Sequence, residues 1–196
     1  GTIVTGTLID GRLTVGDEVV ITPGDLTARV RGLQSHKTRE NQVTPGQRVA
    51  ANLTGVAVDD LRRGQVLVRP GWLEPTVLLD ARLRLLSAAP WPLKHDTLVD
   101  LYSGSARVEA YVRLLDREEL APGDSGWVQF RLSEPMAVVR GDHYIIRLPS
   151  PSMTLGGGRI VQPHPRRRHR RFRPEVIAQL EALARGTPED IVFQTI

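Results

Sequence analysis

Residues 1–24 read GTIVTGTLIDGRLTVGDEVVITPG, and the fold turns on how this stretch is understood. Three short runs alternate apolar and polar residues, and Asp10-Gly11 and Gly16-Asp17 separate them with strong turn signals. Alternation broken by tight turns is the pattern of antiparallel strands. The same texture continues through ARVRGLQSH (28–36), GQRVAANL (46–53) and GQVLVRP (64–70), at the spacing expected of an antiparallel barrel. A turn-rich seam, RPGWLEP (69–75), then separates a second β series. That series runs through VLLDARLRLL, TLVDLYSG, ARVEAYVRLL, GWVQFRL, DHYIIRL and GGGRIVQ, ending at Gln162.

A turn signature echoes along both series: VGDEV, PGQRV, RGQVL, PGDSG and RGDHY each place Gly before Asp or Gln at the entry to an apolar-alternating run. After PHP (163–165) the texture changes. RPEVIAQLEALARG sets Val176, Ile177, Leu180, Leu183 and Ala184 at helical spacing, with Pro174 in the first turn and Gly186 at the stop. TPED (187–190) predicts an N-cap and acidic first turn of a second helix. The expected division is a barrel over 1–73, a second barrel over 74–163, and a basic linker with the start of a helical region over 164–196.

Composition narrows the function. The net charge is +4, and only Lys37 and Lys94 among the basic residues are lysine. The charge concentrates in RRRHRRFR (166–173), where Arg166, Arg167, Arg168, Arg170, Arg171 and Arg173 are candidates for RNA backbone contact. His169 and Phe172 interleave them in a way that suits stacking, whereas a solvated linker would have a similar composition. The sequence has no cysteine, which rules out disulfides and thiolate metal sites and fits a reducing compartment. No apolar run is long enough to span a bilayer and no signal-peptide pattern opens the chain, so a soluble, cytoplasmic protein is expected. The chain opens on Gly1 directly into a strand pattern and is expected to be a fragment of something longer.

Catalytic readings are weak. GDSG (123–126) resembles the nucleophile loop of chymotrypsin-like proteases, but it also fits the local Gly-Asp turn pattern and lacks a triad context. GGGR (156–159) has the spacing of neither a dinucleotide nor a phosphate loop and reads as a bulge or close backbone approach. No GxxxxGK[ST] motif occurs. His36, His95, His143, His164 and His169 are scattered without metal-ligand spacing, so no metal and no enzymatic activity are expected of the chain.

The stretch PGQRVAANLTG (45–55) carries the sharpest candidate. Strand alternation assigns Val49, Ala51 and Leu53 to the core and leaves Arg48, Ala50 and Asn52 on the opposite face, a shallow floor with one fixed positive charge.

The order and spacing of GTIVTGTLIDGRLTVGDEVVI, GLQSHKTRENQVTPGQRVAANLTGV and LRRGQVLVRPG resemble the second domain of translational GTPases such as elongation factor Tu. PMAVVRGDHYIIRL and GGGRIV resemble the third domain, and SPSMTLGGGRIVQPHPRRRHRRF with LEALARGTPED resembles the selenocysteine-specific elongation factors in particular. The resemblance implies a mainly β fold: two antiparallel β-barrels, elongation factor Tu domain 2-like and domain 3-like, then a short helical segment starting a winged-helix region. It implies a tRNA-binding core with selenocysteyl-tRNA and the ribosome as partners, and no membrane. The mRNA selenocysteine-insertion hairpin would be bound through winged helices further along. GTP and Mg would belong to a GTPase domain before Gly1, so no cofactor is expected in this chain.

By the same resemblance, Arg48 stands where elongation factor Tu offers an asparagine to the aminoacyl pocket. Gln34 replaces a glutamate near the terminal adenosine, and His36 and Lys37 follow in the same loop near the tRNA 3′ end. An arginine is the physically sensible choice for selenocysteine, whose selenol is largely ionised at neutral pH where a serine hydroxyl is neutral. The rival readings are that Arg48 pairs with a nearby carboxylate such as Glu40 or simply lies in solvent, and that the chain is a structural barrel module of a general translational GTPase with non-selective RNA contact.

Overall fold

The computed structural model describes residues 1–186; the second helix expected at TPED lies outside the described residues. The chain forms two compact units, Gly1–Glu74 and Pro75–Ile196, so the division falls within the predicted seam.

The first unit is built from β1 (Thr2–Thr7), β2 (Leu13–Thr14), β3 (Glu18–Thr22), β4 (Leu26–Ser35), β5 (Thr38–Glu40), β6 (Gln42–Val43), β7 (Arg48–Thr54) and β8 (Val66–Val68). Antiparallel pairing runs β1-β7-β4-β3-β8, with β5 on β4 and a separate β2-β6 ribbon. The core takes alternate residues, among them Val19, Ile21, Val30, Val43, Val49 and Leu53.

The second unit comprises β9 (Thr76–Leu85), β10 (Leu93–Lys94), β11 (Thr97–Ser103), β12 (Ala106–Leu114), β13 (Glu119–Leu120), β14 (Ser125–Met136), β15 (His143–Leu148), β16 (Met153–Gln162) and the helix α1 (Pro174–Arg185). Six of its strands close a barrel in the order β11-β12-β14-β9-β16-β15, around a core that includes Leu79, Leu83, Leu101, Phe130 and Ile146.

The echoed turn signature has one geometry. Gly16, Gly46, Gly64, Gly123 and Gly141 each adopt positive φ at the third position of a turn. The backbone N–H of the following Asp or Gln bonds back three residues, as Asp17 to Thr14 at 3.1 Å and Asp142 to Val139 at 3.2 Å. In four of the five turns the side chain also accepts from that first residue's N–H: Asp17, Gln47, Gln65 and Asp142, at 2.7–2.9 Å. Only glycine tolerates the required φ cheaply, and the Asp or Gln closes the turn a second time. GDSG is one of these turns, with Ser125 opening β14.

The Gly156–Gly158 run is a close approach of three strands. A Cβ on Gly156 or Gly158 would overlap the carbonyl oxygen of Arg84 or Arg82 on β9, and one on Gly157 would overlap that of Tyr144 on β15.

The residues set apart in the sequence as a linker pack on the barrel instead. Leu180 of α1 is buried with Trp127, Val161 and Leu115 in a satellite cluster, flanked by Val176, Ile177 and Leu183. Trp127 faces out from β14, so helix and preceding segment together cover part of the outer wall of the barrel. No helix among the described residues is long and apolar enough to cross a membrane.

Candidate nucleic-acid interface

In the first unit, β7 sits between β1 and β4, and its register fixes which residues share the outer face. Thr5, Ala50, Gln34 and Arg39 are successive cross-strand neighbours over β1, β7, β4 and β5. Ile3, Asn52 and Gly32 form the next row, and Thr7 opposes Arg48 at the other side. Gly32, Ala50 and Asn52 are small and form a shallow floor, and nothing lies within 4 Å of where a Cβ on Gly32 would sit. Arg48, Gln34 and Arg39 stand around it, exposed. The structure thus brings Arg48, which alternation in β7 assigned to the outer face, and Gln34 of β4 to one face.

His36 and Lys37 form the two-residue tip of the β4–β5 hairpin, closed by the Ser35–Thr38 pair. Both have positive φ, 49° and 66°. Two consecutive left-handed residues define a type I′ turn, whose preferred sequence is Asn-Gly. Holding non-glycine residues there costs on the order of 1–3 kcal/mol each, and such strain clusters at functional sites. The tip is tied to the floor: the Ser35 hydroxyl donates to the Arg48 carbonyl at 3.0 Å and lies 3.1 Å from His36 Nδ1. With its single proton given to the carbonyl, the hydroxyl can only accept from His36, so Nδ1 carries the proton.

Among the described residues neither Arg48 nor Glu40 takes part in an ion pair, so the guanidinium is not neutralised by the predicted rival partner. Asn52 Oδ1 is buried on the floor with no partner. A hollow of about 370 Å³ lined by Glu18, Thr27, Arg29, Thr54 and Gly55 lies elsewhere on this unit and includes none of the predicted residues. Arg39, Ile3, Thr5 and Thr7 escaped the sequence reading; the signal for Arg39 was its position across a two-residue hairpin from Gln34.

In the second unit, the arginine run is a strap fixed across the outer face of β9, β14 and β12. Asp80 is fully buried and lies 2.8 Å from His169 Nε2. Its other oxygen accepts from Gln129 Nε2 at 2.9 Å, and Gln129 Oε1 accepts from the His169 N–H at 3.1 Å. Arg113 Nη2 donates to the His169 carbonyl at 3.0 Å. Two residues on, Arg171 donates to the carbonyls of Leu114 and Arg117, each at 2.8 Å, and to Glu118 at 3.1 Å. The Phe172 N–H bonds the Leu115 carbonyl at 2.7 Å.

This arrangement changes the roles expected of the run. His169 points into the barrel wall and is not a stacking surface. Arg171 is engaged by protein carbonyls and stacks on Phe172 at 4.6 Å. Arg166, Arg167, Arg168, Arg170 and Arg173 remain exposed. Sequence reasoning missed Asp80, Arg113 and Gln129, which are isolated polar residues in strands.

Burial pushes the Arg113 guanidinium below its ordinary range, and the nearby charge of Arg168, with those of Arg171 and Arg131, pushes the same way against Asp96. Burial also lowers the His95 pKa, opposed by Asp96, and His95 Nδ1 accepts from the Leu114 N–H at 3.2 Å. No cluster of three or more potential metal ligands occurs among the described residues.

Residues 1–68 match the family described as elongation factor Tu domain 2. Residues 80–167 match the β-barrel domain of selenocysteine-specific elongation factors. The chain is 40% identical over 193 residues to the selenocysteine-specific elongation factor of Desulfomicrobium baculatum, covering 98% of this chain and 30% of that protein. The chain belongs to the family of selenocysteine-specific elongation factors. The Haemophilus influenzae member is 29% identical over 196 residues, 98% of this chain and 31% of that protein. Among solved structures, the apo crystal structure of translation elongation factor SelB from Methanococcus maripaludis superposes with a TM-score of 0.73 at 26% identity, over 85% of this chain and 40% of that one. The chain therefore spans about 30% of the length of the curated relatives it matches.

Proposed function

We propose that this chain is the tRNA-holding part of a selenocysteine-specific elongation factor, and that its first unit receives the aminoacylated 3′ end of selenocysteyl-tRNA for delivery to the ribosome at recoded UGA codons. One observation carries the reading: Arg48 presents a guanidinium without an ion-pair partner among the described residues at the side of a floor of small residues. A guanidinium keeps its charge at any physiological pH, so it favours a selenolate over a neutral hydroxyl or thiol.

Gln34, His36 and Lys37 stand at the same end of the unit, where the terminal adenosine and its phosphates would lie. The Gln34 amide can hydrogen-bond a ribose hydroxyl without adding charge. His36, with Nδ1 bonded to Ser35, keeps Nε2 for the nucleic acid. Lys37 supplies a point charge for phosphate. Arg166, Arg167, Arg168, Arg170 and Arg173 on the second unit supply further backbone contacts, and binding weakens steeply with salt. GTP and Mg, and the mRNA hairpin, fall to a GTPase domain and winged helices of the whole factor.

The test is equilibrium binding of selenocysteyl-tRNA against the same tRNA after ester hydrolysis. The proposal expects the charged form to bind more tightly. Equal binding of both would overturn it in favour of a barrel module with non-selective RNA contact.

A further inference from the structure

Strand β4 carries a β-bulge beside the floor of the first unit. Val30 pairs with Leu53 and Gly32 with Asn52, so Arg31 is one residue extra and shares with Gly32 the place opposite Asn52. Val30 and Leu33 are both buried, which leaves the two residues between them on the outer face. The bulge therefore sets a second exposed guanidinium beside the floor, at the side away from Arg48.

Three features make a slot there. Gly32 offers no side chain, and nothing lies within 4 Å of where its Cβ would sit. Across β7, Ile3 lies opposite Asn52 and is 66% exposed, an apolar side chain left in the open. Ile3 and the bulge flank β7 at two strand spacings, about 9.6 Å. A flat ring with a group against each face needs about 7–8 Å, so both side chains reach one by leaning over the floor. Asn52 Oδ1 is buried without a partner, and a Cβ on Gly1 would overlap it. What the slot offers a ring is therefore two faces to lie against, not an edge to read.

The walls and the spacing of the rows select the occupant. A guanidinium plane stacks on a nucleobase, and an aliphatic branch packs on its other face. Arg31 joins no ion pair among the described residues. The acids on its side are Glu18, which lies opposite Arg29, and Asp17, whose carboxylate accepts from the Thr14 N–H at 2.8 Å. Along β7 the Arg48, Ala50 and Asn52 rows follow one another two residues apart, about 6.6 Å each. A ribose at Gln34, in the middle row, has Arg48 one row away for its aminoacyl group and the slot one row away for its base.

We propose that Arg31 and Ile3 clasp the 3′-terminal base of the bound tRNA between them, over Gly32. The proposal rests on the reading of the first unit as the holder of the aminoacylated 3′ end, and it gives that end a second anchor besides Arg48.

The test is fluorescence anisotropy with a short RNA hairpin helix whose 3′-terminal adenosine carries selenocysteine through a stable amide. Its counterparts have an abasic terminal nucleotide, no amino acid, or neither. The proteins are wild type, Arg31→Gln, Arg31→Lys, Ile3→Ala and, as a control, Arg63→Gln in the loop before β8. Loss of the base should weaken wild-type binding about five- to thirtyfold. Arg31→Gln and Ile3→Ala should each weaken the base-bearing RNA about fivefold and leave the abasic RNA unchanged, because the interaction they lose is already gone. Arg31→Lys should be as weak as Arg31→Gln, since an ammonium keeps the charge and lacks the plane. Arg31, Ile3 and Arg63 are exposed, so unfolding midpoints should not move, and Arg63→Gln should bind like wild type. Equal binding of base-bearing and abasic RNA by wild type would overturn the slot alone. So would full affinity in Arg31→Lys, or equal loss on both RNAs in Arg31→Gln, since either makes Arg31 a phosphate contact. If wild type binds charged and uncharged RNA alike, the aminoacyl reading falls, and the uncharged pair with and without the base still decides the slot. Binding of none of these RNAs would overturn both.

Discussion

Replacing His169 with alanine tests whether the strap is part of the barrel or merely lies on it. Asp80 is wholly buried and has two side-chain partners, His169 Nε2 at 2.8 Å and Gln129 Nε2 at 2.9 Å. Alanine leaves a buried carboxylate with one amide donor. Leaving a buried acceptor without its hydrogen-bond donor costs about 1–3 kcal/mol, and because Asp80 is wholly buried the upper end, ~3 kcal/mol, applies. With a urea m-value of about 2 kcal/mol/M for the second unit, the midpoint should fall by roughly 1.5 M. Trp127 is buried under the strap and helix and reports the transition by fluorescence, while Trp72 and Trp91 are already exposed. A second variant, His169→Ala with Asp80→Leu, removes the stranded charge and should recover much of the loss. A midpoint shift below ~0.5 M in the single variant, under about 1 kcal/mol at that slope, would refute the reasoning, because Asp80 would then not depend on the strap.

Three further outcomes are expected. The depressed His95 pKa means that the unfolded chain takes up the proton first as pH falls below about 6.5, so the stability His95 contributes is present above that pH and is lost below it. Urea midpoints at pH 7.5 and 5.5 should therefore differ more in wild type than in His95→Gln, and equal differences would contradict this. Gly158→Ala should yield little folded protein, because its Cβ would overlap the Arg82 carbonyl, while Gly32→Val, with open space and ordinary φ, should keep the fold by circular dichroism but block the floor and weaken selenocysteyl-tRNA binding. Replacing His36-Lys37 by Asn-Gly should relieve the strained turn and raise stability by ~1–2 kcal/mol while lowering tRNA affinity; a fall in stability, read from the urea midpoint, would show the turn is not strained.

The barrels were legible because their information is local. The Gly-Asp and Gly-Gln turns each close within four residues, and alternation in β7 sorted Val49, Ala51 and Leu53 inward and Arg48 outward without reference to any partner strand. The seam at 69–75 and the Pro174 helix start were equally local. The strap was not legible, because its partners are distant in sequence: Asp80 is 89 residues from His169, and Gln129 is 40. Alternation also fails along β14, where outward-facing Trp127 and Gln129 are as buried as inward-facing Val128 and Phe130, since strap and helix cover the wall. A run of arginines reads as solvated whether it is loose or anchored. Only the positions of carbonyls and carboxylates across the barrel assign Arg171 to the fold and leave Arg168 exposed.

The central claim is that Arg48 senses a selenolate. The direct measurement compares selenocysteyl-tRNA and seryl-tRNA on one tRNA body, at fixed salt, for wild type and Arg48→Ala, with the chain joined to a GTPase domain. One charge-assisted contact is worth ~1.5–3 kcal/mol, so wild type should prefer the selenocysteyl form by roughly ten- to a hundredfold. Arg48→Ala should lose most of that preference and keep its affinity for seryl-tRNA. If both proteins bind both tRNAs alike, or if the preference survives in Arg48→Ala, the guanidinium is surface charge and the selenolate account is contradicted.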